Sequence, residues 1–181
     1  MAPPTYLPPW RLDIDIRDGV SSPLTRVALA RTMARALDAA GAPAPAILGL
    51  ILADDAELAA LNAEHMGHEG PTDVLSFPLL SPGAFPEHAG QDPAVRVEAD
   101  RFVTPPGRRV HLGDIVVSVE RAVEQAGEGR GGHGGNVSWS AAEEVRLLVT
   151  HGVLHVCGWD HALPAEEAAM RALERELLAA R

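Results

Sequence analysis

Three histidines fall within eleven residues of the 181-residue chain, in the segment His151-Gly-Val-Leu-His155-Val-Cys-Gly158-Trp-Asp160-His161. His151 and His155 are four apart, so on a helix their imidazoles stand one turn apart on the same face. Gly158 is a residue that ends a helix in the left-handed conformation without a Cβ penalty, and the reversed chain can return His161 to the same point. Three neutral imidazoles converging in this way form a zinc site with one coordination position left for water or substrate. The plainer alternative is three incidental core or surface histidines, which the spacing disfavours.

Both histidine intervals and the glycine match the H-E-x-x-H-x-x-G-x-x-H pattern of zinc peptidases. The Glu that acts there as general base is Gly152 here. A metal still lowers the pKa of bound water to about 7 and acts as a Lewis acid, but the proton-handling carboxylate must come from elsewhere. Asp160 and Asp73 are the weak catalytic candidates. Asp160 orients a ligand imidazole in one reading and is a plain turn residue in the other. Cys157, two residues past His155, lies about 200° round the helix and reads as a buried thiol rather than a ligand.

These residues resemble the YbeY family of bacterial rRNA-maturation endoribonucleases. The H-G-x-L-H-x-x-G-x-D-H signature runs from His151 to His161. It is joined by Leu61-Asn62, by Pro71-Thr-Asp-Val-Leu-Ser-Phe-Pro78, by Leu112-Gly-Asp-Ile-Val-Val-Ser118 and by a closing Glu/Met/Leu-rich helix, so that the likeness spans residues 47–178. The resemblance implies a zinc-dependent, single-strand-specific endoribonuclease acting in 16S rRNA 3′-end maturation and ribosome quality control. One Zn2+ per chain would be held by His151, His155 and His161. The alternatives are a ribosome assembly factor whose zinc is mainly structural and, less favoured because of Gly152, a zinc hydrolase or peptidase. The implied partners are single-stranded RNA or a 16S rRNA precursor, with a ribosomal protein or GTPase as a further docking partner.

The chain departs from the family at one informative place. Where the family carries Tyr-Arg-Gly, this sequence has His65-Met66-Gly67. A thioether cannot pair with a phosphodiester as a guanidinium fork does. Substitute cations are Arg31 and Arg35 on one helical face, or Arg108 and Arg109 in a loop, with ordinary solvated charge as the plain alternative. His65 and His68 offer partial positive charge without a third ligand. Thr72, Asp73, Ser76 and Asp114 are polar strand residues that either face the cleft or hydrogen-bond at strand ends.

The elements that must position these groups follow from periodicity. Residues 1–10, rich in proline, read as a flexible tail ahead of a single domain over 11–181. Strands are expected at 12–16, 46–53, 72–77 and 112–119, with helices capped by Ser22-Pro23, by Asp54 with Glu57, by Ser140 with Glu143 and by Leu163-Pro164. Gly41 and Gly67 end the first two helices, and residues 120–126 read as helical. A loop excursion spans 81–110, with a short strand around Val95–Val97, and six glycines in residues 127–135 mark a flexible connection. The fold class is α+β: one small mixed β-sheet covered by helices, with a zincin-like metal helix.

Composition bounds the setting. Hydrophobic residues make up 46% and charged residues 22%, an ordinary globular balance. Against 25 acidic side chains stand 15 basic ones, every one of them Arg, for a net charge of −10. Such a surface argues against broad coating of nucleic acid, though not against a local groove. No signal peptide or spanning stretch is read in the sequence, and the single cysteine forms no internal disulfide. The expected setting is therefore the cytoplasm, away from any membrane.

Overall fold

The computed structural model describes residues 3–89, 91, 108–128 and 139–179. Five strands form a sheet in the order β1-β2-β3-β5-β4, where β1 is Thr5–Leu7, β2 Trp10–Ile16, β3 Ala46–Ala53, β4 Val74–Pro78 and β5 Val110–Ser118. β2, β3 and β5 run parallel, and the edge strands β1 and β4 pair antiparallel with β2 and β5. The helices are α1 Arg26–Ala39, α2 Asp55–Leu61, α3 Val119–Glu128, α4 Ala141–Val156 and α5 Pro164–Ala179. This is the single mixed α+β domain expected from the sequence.

β3 is the central strand, and its apolar run follows from that position. Leu48, Leu50 and Leu52 face the main core with residues of α1 and α4, while Ala53 faces a smaller cluster with Leu58 of α2. A strand covered on both faces shows a continuous hydrophobic run instead of alternation. Leu12 and Ile14 of β2, Ile115 and Val117 of β5, and Met170 of α5 complete the main core.

Thr5–Trp10 differ from the expectation of a flexible tail over residues 1–10. Thr5–Leu7 pair with Trp10–Leu12, and Pro8-Pro9 fill the turn between them, where missing N–H donors break no ladder. Trp10 is only 3% exposed, and its indole N–H donates to Asp38 Oδ1 at 3.0 Å. Burial of one large ring therefore draws the proline-rich segment onto the sheet.

α1 begins later than Ser22-Pro23 suggests. The Ser22 hydroxyl closes a local turn with the N–H and C=O of Leu24, and Thr25 becomes the N-cap, accepting from the Ala28 N–H at 3.2 Å. Asp54 caps α2 as expected. The Glu57 carboxylate, however, pairs with Arg17 instead of completing a capping box. β4 starts at Val74, β5 extends from Val110 to Ser118, and a π-helical turn at Asn62–Met66 follows α2. Of the excursion at 81–110, residues 81–89, 91 and 108–110 are described, with a 3-10 turn at Pro82–Ala84 and the start of β5 at Val110. The proposed strand at Val95–Val97, and the glycine-rich connection from residue 129 on, lie outside the described residues.

Replacing Trp10 by Ala removes a buried ring and a paired indole N–H. The expected loss is about 3–5 kcal/mol in denaturant unfolding, whereas a flexible tail would register no change.

Candidate metal centre

α4 carries the first two candidate ligands, His151 and His155. Its N-terminus is a full capping box: Ser140 Oγ accepts from the Glu143 N–H and Glu143 Oε2 accepts from the Ser140 N–H at 2.9 Å. Val145, Leu148, Val149 and Val153 bury one side of the helix. Gly152 lets α4 lie directly on the sheet. A Cβ there would meet Ile115 Cγ2 at 2.6 Å and Ser76 Oγ at 3.3 Å, and the Ser76 hydroxyl donates to Gly152 O. A side chain at this position would require the Ile115 side chain to move, so the peptidase glutamate has no ready space.

α4 ends in a Schellman motif. The Trp159 N–H donates to Leu154 O and the Gly158 N–H to His155 O, both at 3.0 Å, with Gly158 at φ +83°. The reversal returns His161 as the spacing requires. One ring nitrogen from each of His151, His155 and His161 lies within 4.8 Å of the other two. His151 and His155 are half-buried and His161 is exposed.

The partners of the other ring nitrogens fix the tautomers. His151 Nδ1–H donates to Glu174 Oε1 at 2.8 Å, and His155 Nδ1–H donates to Trp159 O at 3.0 Å. Each Nε2 then carries its lone pair, and the two Nε2 atoms face one another at 2.9 Å. Both nitrogens therefore point to one place, where a metal ion would be shared between them. Tetrahedral zinc at about 2.0–2.1 Å from each nitrogen separates such ligands by about 3.3 Å, so the donor set fits a divalent ion. Burial, and then the facing His151 and His161 rings, push the His155 pKa down to about 4, which keeps it in the neutral ligating form.

Glu174 is the site residue that sequence reading missed. It sits on the buried face of α5, 5% exposed, and supplies the orienting carboxylate proposed for Asp160. A signal was present, because Glu166, Met170 and Glu174 recur every four residues and so place two acids on the buried face of a helix. Asp160 instead accepts from its neighbour's backbone, His161 N–H to Oδ1 at 2.7 Å, and is a turn residue. Cys157 is buried, with its thiol pushed up to about 12 by desolvation, and stands outside the cluster as expected.

A cleft of about 700 Å³ opens on the three histidines, within the usual size of ligand sites. Thr72, Asp73 and Ser76 line it, as do Met66 and Asp160. Both Asp73 oxygens are engaged: Oδ1 accepts from the Val74 N–H and Oδ2 from Gln125 Nε2, each at 2.9 Å. Asp114 does not line the cleft and lies 3.4 Å from His111. Among the described residues no arginine lines it either, so Arg31, Arg35, Arg108 and Arg109 stand elsewhere, Arg109 over the Tyr6 ring. His65 packs edge-on against Phe77, and neither it nor His68 joins the cluster.

Two outcomes follow from this geometry. Glu174→Ala should weaken metal binding by about 10–100-fold, read by competition with a chromophoric chelator, and Glu174→Gln by less. The lowered His155 pKa also makes metal-free stability pH-dependent. Between the ordinary value of 6.5 and about 4 the unfolded chain binds the extra proton, so stability is lost as pH falls through that window. The melting temperature of the metal-free protein should decline there, and less steeply in His155→Gln.

Comparison with known proteins gives the family. The family model described as Endoribonuclease YbeY matches residues 17–181. A protein named Endoribonuclease YbeY from Roseiflexus sp. (strain RS-1) is 42% identical over 137 residues, covering 75% of this chain and 71% of its own. Its namesake from Thermobifida fusca (strain YX) is 36% identical over 173 residues, 93% of each chain. That from Salinispora tropica is 37% identical over 168 residues, 93% of this chain and 95% of its own. With the match running through α4, its closing turn and α5, the chain belongs to the Endoribonuclease YbeY family.

Proposed function

We propose that this protein is a zinc-dependent, single-strand-specific endoribonuclease that acts in the cytoplasm on 16S rRNA 3′-end maturation and in ribosome quality control. The observation that carries the reading is the convergence of three imidazole nitrogens, two of them locked in the ligating tautomer, at the floor of an open cleft. Family membership supplies the substrate class. No described helix is long and apolar enough to cross a membrane.

His151, His155 and His161 hold the ion, one per chain, while Glu174 and the Trp159 carbonyl orient two of the rings. When bound, such an ion offers Lewis acidity toward a phosphoryl oxygen and a lowered pKa for water. The cleft leaves its floor open to a single strand. Of the three carboxylates that line it, Asp73 is tied on both oxygens and Glu166 is buried and accepts from the Leu163 N–H. Asp160, exposed in the ligand turn itself, is the best placed to take or give a proton. Met66 stands at the cleft where the family carries Arg, so phosphate recognition rests more heavily on the metal than a guanidinium fork would require. The net charge of −10 suits docking to a basic ribosomal protein, or to a GTPase, better than gripping RNA along its length.

The full chain, purified without chelators and analysed for metal, should carry one zinc and cut single-stranded RNA but not duplex. His155→Ala should abolish cutting while leaving a folded protein, and Met66→Arg should raise cleavage at low substrate concentration. Zinc-loaded protein that leaves single-stranded RNA intact would sink the nuclease reading. Should His155→Ala fail to fold, the zinc is structural and the assembly-factor reading takes its place. Cleavage of peptides by the wild type would instead revive the hydrolase reading that Gly152 disfavours.

A further inference from the structure

The segment following β4 packs against the turn that carries the third ligand. Pro82 lies so close to Gly158 that a Cβ there would sit 3.0 Å from Pro82 Cα. Phe85, 7% exposed, belongs to the main core, and Pro86 abuts Gly41 just past the end of α1. From this strap the His88 ring stacks on Trp159, with centroids 4.0 Å apart and planes 11° from parallel. Its Nε2–H donates to Gly158 O at 3.2 Å.

Trp159 is the residue through which the ring acts. Its carbonyl fixes the His155 tautomer, and its backbone leads within two residues to His161. The indole also packs on the core. With His88 on it, Trp159 is held by the core and by the strap, and the carbonyl that receives His155 Nδ1–H is held with it. We propose that His88 is a positioning residue for the metal centre: its ring stack on Trp159 holds the turn at 158–161 in the ligating form.

This inference rests on the metal reading above and adds a residue more than sixty positions upstream of the ligands. The strap's own anchorage, Phe85 in the core with Pro82 and Pro86 against two turns, does not depend on His88. Substitution therefore frees the turn without unfolding the protein. An oriented ligand partner is worth about 10–100-fold in metal affinity, and His88 acts one step further out, so the lower end is expected.

The test is zinc affinity of the full-length wild type, His88→Ala and His88→Phe, by chelator competition, with melting of each metal-free protein alongside. His88→Ala should bind zinc about tenfold more weakly at an unchanged melting temperature. His88→Phe, which keeps a flat ring for stacking and loses the hydrogen bond, should restore wild-type affinity. Amide exchange at Trp159 and His161 of the metal-free protein should quicken in His88→Ala only. If the wild type takes up no zinc, the metal reading itself falls. If it does, a His88→Ala variant equal to wild type, or a His88→Phe variant no better than His88→Ala, overturns this inference alone.

Discussion

The site depends on one local constraint. Two imidazole nitrogens stand 2.9 Å apart because their opposite nitrogens are committed elsewhere, one to Glu174 and one to the Trp159 carbonyl. With those partners fixed, both Nε2 atoms point to one place and act there as a pair of donors. Folding holds them so because α4 is capped at its start, packed on the sheet along its length and closed by a Schellman turn. The fold thereby presents ligand atoms already oriented for a metal ion.

The closeness of α4 to the sheet also determines the chemistry open to the site. At Gly152 the helix backbone lies against the Ile115 and Ser76 side chains with less than the space of a methyl group. The position at which a peptidase places its base is thereby closed, while His151 and His155 share the cleft with Val74, Leu75 and Ser76 of the edge strand β4. The cleft beside it carries acids and a thioether in place of guanidinium groups among its described residues, a lining that leaves attraction for phosphate to the ion.

Much of this was legible from residue order. The run from Ala46 to Ala53 gave its strand to the residue, since a strand buried on both faces needs no alternation to be seen. Ser140 with Glu143, and His151, His155 and His161, were legible because caps and ligand sets are local. What escaped depended on distant partners. Trp10 is buried by Asp38 and the sheet core, and nothing within residues 1–10 signals that. Ser22 with Pro23 has the composition of a helix start, and only the turn that the Ser22 hydroxyl closes with Leu24 moves the cap to Thr25. Glu174 lies 23 residues from its histidine in a helix with several glutamates, so nothing local ties it to the site. Asp160 reads equally as an orienting carboxylate and as a turn residue, and the structure decides for the turn by aiming it at a backbone amide.

The Schellman turn at Gly158 has an evolutionary corollary. Two donors ride on the helix and the third on the far side of the reversal, so the stretch between the first and last histidine works as a ruler of fixed length. Each residue added within the helical part would swing everything beyond it by about 100°, and one added after the glycine would overshoot the return. Side chains along the stretch are free to drift where they face solvent, but insertions and deletions are not tolerated. Descendants of this sequence should vary in length in the loops and never between those two rings.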